Sequence, residues 1–275
     1  MVVVALIVVK VTGGSPSSSN NGFQATDPAI VADLTTVPTT VIDAVGVKSP
    51  VSPVYPPVVL KGQPLLTGTS ATGATLPEVL YVGAEWCPYC AAERWTMIVA
   101  LSRFGTFSNL GDTTSSSIDV YPNTPTLTFA KSTYTSKYLV FKPVEMFDNV
   151  INPATNNYTP LMKITKADSA IVAKYQTKKY IPGWSGTPGH IYYPFVSLGN
   201  QFLISGPSYT PALLQGQTRA QIAAGLSDAT SPITQAIVAS ANYFTASLCA
   251  LTKNQPAAVC SDPAVLAAKK ALGIK

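Results

Sequence analysis

The chain is poor in charge and nearly devoid of histidine. Only 11% of its 275 residues are Asp, Glu, Lys or Arg, and His190 is the single histidine. The net charge of +5 is spread along the chain with no basic block and no basic–aromatic stripe, which argues against a nucleic-acid partner. Cysteine is scarce too, with four in all: Cys87, Cys90, Cys249 and Cys260. A zinc site needs a second close pair of ligands. Cys249 and Cys260 stand apart with no histidine nearby, so no metal is expected. No nucleotide or flavin motif occurs, and no cofactor is expected. A long apolar run is also missing. The opening "MVVVALIVVKV" falls short of the roughly 20 residues that cross a bilayer, and it lacks the charged start and small-residue cleavage site of a signal peptide.

That opening and the "TGGSPSSSNNG" after it read as residues 1–11, the remnant of a membrane anchor, and residues 12–26, a flexible linker. The other reading of the opening is a buried first strand. Residues 27–275 then form the folded part, outside the cytoplasm, where disulfides persist. Length and a 47% hydrophobic content allow a sizeable core.

Residues 12–75 are rich in Pro, Gly, Ser and Thr, with one short helix beginning at Asp27-Pro28 and an extended "PVSPVYPPVVL". From Glu78 the pattern changes. "EVLYVGA" is a continuous apolar run of strand length, the mark of a strand covered on both faces. "CAAERWTMIVALSRFG" follows as a helix with Ala91, Trp95, Ile98 and Ser102 on one face and Gly105 as its stop. "TPTLTFA" and "KYLVFKPVE" read as strands, and a helix starts at Thr165 and ends at Pro182-Gly183. "YYPFVSLGNQFLISG" reads as a hairpin turning at Gly199-Asn200. Three helical segments close the chain: a Thr218/Gln221 capping box, Ser231-Pro232, and Asp262-Pro263.

Strand, then Cys87-Pro88-Tyr89-Cys90, then helix puts Cys87 at a helix N-terminus. Unpaired N–H groups and the helix dipole favour a negative charge there. The thiol pKa falls, which makes Cys87 the nucleophile, and Cys90, one turn inward, suits the resolving role. Pro88 at the first helical position loses no needed hydrogen bond. A structural bridge at a helix start is the alternative.

"AEWCPYC" resembles the active-site turn of thioredoxin-fold proteins, and the Pro-Tyr between the cysteines is similar to glutaredoxins. The resemblance implies a proline, cis in the family, that starts a strand beside the dithiol, and Pro194 in "HIYYPFVSLGNQFLISG" matches it. The wider pattern, "GAEWCPYCAAERW" with "ALSRFGTFSNL" and "YTSKYLVF", is similar to an uncharacterised thioredoxin-like family of actinobacteria and archaea. The implied fold is α/β and thioredoxin-like: a mixed central sheet flanked by helices. It would carry an insertion at roughly 130–190, between the Cys-x-x-Cys helix and the cis-proline strand, and a C-terminal helical extension at roughly 218–275. A helical insertion of this kind, as in secreted thiol oxidases of the superfamily, would cap the dithiol. The buried acid that thioredoxins carry six residues before the first cysteine is here Tyr81.

Other residues have two readings each. Pro194 is the cis active-site proline or an edge-strand proline in trans. Trp86 is a partly exposed platform beside the dithiol or ordinary core, and Tyr89 and Tyr193 are its neighbours. His190 either stabilises the Cys87 thiolate or lies on the surface. Glu85 tunes the dithiol or is a solvated loop carboxylate, and Arg94 pairs with Glu93 or another acid. Cys249 and Cys260 form a structural disulfide worth about 2–3 kcal/mol, or else a second redox pair. Asn157-Tyr158-Thr159 matches the glycosylation acceptor pattern and is taken as chance.

The expected function is thiol–disulfide exchange on cysteines of secreted or membrane proteins, from a membrane-anchored or secreted protein. Its rivals are a non-enzymatic module with a structural Cys87–Cys90 bridge and a reductase fed by a membrane electron donor.

Overall fold

The computed structural model describes residues 22–274, so the expected anchor and most of the expected linker lie outside the described residues. The linker's far end is not free. Asp112 N donates to Gln24 O at 2.8 Å and Thr26 N to Leu110 O at 2.9 Å, which ties residues 24–26 to the body of the fold.

Asp27 caps α1 (Pro28–Thr35) by accepting from Ala29 N. Helix α2 (Thr39–Val45) has no sequence signature, because its Thr-Thr-Val-Ile start is poor in helix formers. Tertiary contacts hold it instead: Val41, Ile42 and Val45 are buried, and Asn242 Nδ2 donates to Ile42 O and Gly46 O at its C-terminal end. The proline-rich stretch then runs extended into β1 (Val58–Val59).

Strands β2 (Thr67–Thr69) and β3 (Thr75–Gly83) form an antiparallel pair, and α3 (Pro88–Ser102) follows the dithiol turn. Strands β4 (Thr106–Ser108), β5 (Gly111–Thr114), β6 (Pro125–Thr128) and β7 (Thr133–Thr135) make two small pairs, β4 with β7 and β5 with β6. Next come β8 (Val140–Glu145), a hairpin of β9 (Phe147–Asn152) and β10 (Asn157–Pro160), and α4 (Lys166–Tyr175). A second hairpin, β11 (Phe195–Leu198) with β12 (Phe202–Ser205), turns through Gly199 and Asn200, both left-handed as a tight primed turn requires. Helices α5 (Arg219–Gly225), α6 (Pro232–Leu251), α7 (Ala257–Cys260) and α8 (Pro263–Leu272) close the chain, α5 behind the expected Thr218/Gln221 capping box.

The result is a mixed α/β fold with a mixed central sheet flanked by helices. The strand order is β1–β12–β11–β3, and β2 and β8 lie end to end on the other edge of β3. β8 runs parallel to β3 and the other pairings are antiparallel. Alternation along β3 divides the core in two. Val79 and Tyr81 join the cluster of α3 and α6, whereas Leu80 and Val82 pack with Val172 and Tyr175 of α4.

Several expectations change. The stretch at roughly 130–190 is woven into the core rather than set apart, since β8 pairs with β3 from Glu78↔Val140 to Gly83↔Glu145. Helix α3 has no single apolar face. Pro88 and every residue from Cys90 to Leu101 are buried, because β6, α1 and α6 surround it. It ends at Ser102, short of Gly105. Helix α4 ends at Tyr175, well before Pro182-Gly183, where Gln176 turns its side-chain amide to the Tyr192 backbone. The Asp262 carboxylate does not cap α8; it pairs with Arg103 at the end of α3. Cys249 and Cys260 are joined by a disulfide that ties α6 to α7. Among the described residues no single helix is long and apolar enough to cross a membrane.

Candidate functional site

Strand β3 delivers the chain to Cys87, which is the N-cap of α3, and Pro88 occupies the first turn. Cys87 Sγ accepts a hydrogen bond from Cys90 N at 3.4 Å, so the sulfur stands in for the usual capping oxygen at one unpaired helix N–H. On its other side the sulfur meets Tyr193 O at 3.9 Å. The Tyr193–Pro194 peptide is cis, Pro194 is buried, and β11 begins directly after it, hydrogen-bonded to β3. The two cysteines are not bonded to each other.

The pair is electrostatically unequal. Burial opposes the Cys87 thiolate, yet hydrogen bonds from Cys90 and Tyr89 and the Arg94 charge outweigh it and lower the Cys87 pKa. Cys90 is pushed well above the ordinary thiol value, first by burial and then by its hydrogen bond to Cys87 and the charge of that sulfur. Of the two thiols, Cys87 ionises the more readily.

Aromatic side chains surround the turn. Trp86 stacks on Tyr158 of the β9–β10 hairpin with ring centres 5.3 Å apart, and meets the Tyr193 ring edge-on at 5.8 Å. Tyr89 meets Tyr121 edge-on at 6.0 Å. The loop holding Tyr121 is anchored by Ser116 N donating to Trp86 O, and it presents Ile118 and Val120, 72% and 64% exposed. Beneath this rim Cys87 is only 2% exposed. The element packed on Trp86 is a β-hairpin, not the expected helical cap; α4 packs on the opposite face of the sheet from Tyr81 and α3.

Behind Cys90 lies a fully buried polar group. Arg94 Nε and Nη2 donate to the two Glu145 oxygens at 2.7 and 2.8 Å, and Nη2 also donates to Ala84 O. Tyr81 Oη donates to Glu145 Oε2 at 3.4 Å. The partner of Arg94 is thus Glu145 on β8. Glu93 points away, accepting from Ser208 N at 2.8 Å, with burial raising its pKa to about 7. Glu85 is buried, not solvated: Thr113 Oγ1 donates to it at 3.2 Å, and burial raises its pKa. His190 is exposed on its loop and is not among the groups acting on either thiol.

The structure therefore brings Cys87, Cys90, Trp86, Pro88, Tyr89, Tyr193 and Pro194 to one turn and leaves His190 out. Sequence reading missed Tyr158, Tyr121 and Glu145. Only Glu145 left a trace, as the lone acid closing an apolar strand. Among the described residues no three His, Cys, Asp or Glu side chains gather as metal ligands.

No curated protein and no solved structure matches the chain. Residues 67–250, which hold the dithiol, the Tyr193–Pro194 cis peptide and the central sheet apart from β1, match the family model described as a domain of unknown function, DUF929, and the chain belongs to that family.

Proposed function

We propose that this protein is a thiol–disulfide oxidoreductase of thioredoxin-like fold, acting outside the cytoplasm on cysteines of secreted or membrane proteins. The observation that carries the reading is the inequality of the two thiols: Cys87 at the start of α3 with its pKa lowered, and Cys90 with its pKa raised. The order β3, α3, parallel β8, α4, the β11–β12 hairpin and α6 supports the thioredoxin-like assignment. On that assignment the additions are the small strands between α3 and β8, the β9–β10 hairpin and the helices after α6. The Cys249–Cys260 disulfide supports an oxidising compartment. The apolar rim of Ile118, Val120, Tyr121 and Trp86 suits a polypeptide substrate.

In the oxidising direction a substrate thiolate attacks Cys87 Sγ of the closed pair. The Cys87–Cys90 bond breaks and a mixed disulfide forms. A second substrate thiolate then attacks the substrate sulfur, which leaves the substrate oxidised and the pair reduced. In the reducing direction Cys87 thiolate attacks a substrate disulfide and Cys90 displaces the product. Either direction needs an external dithiol or disulfide partner to reset the pair, and a membrane redox protein fits that role.

A non-enzymatic module is the second reading, favoured by the 2% exposure of Cys87. Trapping separates the two. Cys90→Ser, with no resolving thiol, should accumulate disulfide-linked adducts with a cysteine-bearing model peptide disulfide through Cys87. Absence of any adduct on the folded protein selects the module.

A further inference from the structure

Cys90 must lose its proton before it can displace a substrate from Cys87, and it is fully buried. No part of its surface opens to solvent, and the nearest acceptors for the proton are protein groups. The groups facing it are Tyr81 from β3, Glu145 from β8, Arg94 and Cys87 from α3, and Tyr193 from the loop before β11; Glu145 and Arg94 in turn act on the buried Glu85.

Tyr81 holds the central position. Its ring folds back along β3 over Gly83, the next residue on the same face. A Cβ at Gly83 would lie 2.1 Å from Tyr81 Oη and 3.0 Å from Cys90 Sγ. Hydroxyl and sulfur thus share one gap, open only because residue 83 has no side chain. From that gap the hydroxyl reaches Glu145 Oε2 at 3.4 Å. Glu145 is fixed by two Arg94 bonds, and Phe129 N lies 3.4 Å from its Oε1. Arg94 Nη1 is buried with no partner among the described residues, so the guanidinium keeps a free donor for negative charge.

We infer that Tyr81 is a catalytic proton relay between Cys90 and Glu145, with Arg94 the positioning residue that holds the charge. This rests on the dithiol being active, as proposed above. One proton moves from Cys90 Sγ to Tyr81 Oη as the hydroxyl proton moves to Glu145 Oε2. The Cys90 thiolate then attacks Cys87 Sγ. The Cys87–Cys90 bond forms, the bond from Cys87 to the substrate sulfur breaks, and that sulfur departs with the electron pair. The Glu145 proton then passes back through Tyr81 to the departing thiolate, and the Arg94 charge favours the ionised carboxylate that remains. The negative charge thus returns to Glu145 beside Arg94, so no isolated buried anion is left behind.

The test uses the reduced full chain and dithiobis-nitrobenzoate, an aromatic disulfide that releases a coloured thiolate at each step. Attack by Cys87 releases the first equivalent and resolution by Cys90 the second. Tyr81→Phe keeps the ring and should leave the first release unchanged while slowing the second on the order of 100-fold, within the usual worth of a positioned proton acceptor. The second release should also become dependent on hydroxide, rising about tenfold per pH unit, whereas the native protein's is nearly flat around neutrality. Glu145→Gln, which turns the acceptor into an amide, is the second variant and should show the same selective loss. An unchanged second release and pH profile in a folded Tyr81→Phe protein overturns the relay. No first release from the folded native protein overturns the dithiol reading, and the relay falls with it.

Discussion

At the scale of single residues, the buried acids separate by partner. Glu145 is matched by Arg94, and removing one member of such a pair leaves the other charged and buried, typically at a cost of about 3–5 kcal/mol. Among the described residues Glu93 has only the Ser208 N–H, and its second oxygen has no partner. Its pKa of about 7 in the folded protein exceeds the ordinary 4.5. The folded state therefore binds this proton more tightly than the unfolded chain. The stabilisation is full below about pH 4.5 and is lost as pH rises through about 7, a change of about 3 kcal/mol. Glu93→Gln should melt higher than the native protein at about pH 8 and match it near about pH 4. Equal pH dependence in the two proteins would refute the assignment. Little of this was legible in the sequence. Glu85, Glu93 and Glu145 look alike in one dimension, and only packing shows which has a cation, which a hydroxyl and which a lone N–H.

At the scale of elements, the β9–β10 hairpin is expected to govern access to Cys87. Tyr158 stacks on Trp86, the residue before Cys87. An aromatic pair is worth about 0.5–1.5 kcal/mol, so Tyr158→Ala should raise the alkylation rate of Cys87 by about 2- to 10-fold at fixed pH. A rate unchanged from the native protein would show that the hairpin is not the gate. Elements with strong local signals were readable: β3 from its apolar run, α3 from Cys87-Pro88, α5 from its capping box, and the β11–β12 turn from Gly199-Asn200. Elements held by distant partners were not. Helix α2 depends on Asn242, and the end of α4 on the grip of Gln176 on Tyr192.

Across the whole molecule, the C-terminal helices brace the helix that carries the dithiol. Helix α6 packs along α3, Arg103 at the end of α3 pairs with Asp262 at the head of α8, and the Cys249–Cys260 disulfide closes the turn between α6 and α7. Its 11-residue separation predicts that replacing both cysteines with Ser lowers stability by about 2–3 kcal/mol, or about 5–10 °C in melting temperature. A double Ser variant that melts like the native protein would assign the bridge no structural weight. The pairing of these cysteines and the order of the main elements could be read from sequence. The place of β8 could not, because a strand that pairs across a long connection carries no local sign of its neighbour.

The central claim is that Cys87 and Cys90 form a working pair, and their reduction potential tests it most directly. The folded protein is equilibrated in glutathione buffers of graded ratio, quenched by alkylation, and the state of each cysteine read by mass. The account predicts a reversible Cys87–Cys90 titration with a midpoint between about −270 and about −120 mV, with Cys249–Cys260 staying closed throughout. A pair that neither opens nor closes at any ratio until the protein unfolds would contradict it, and the dithiol would be structural.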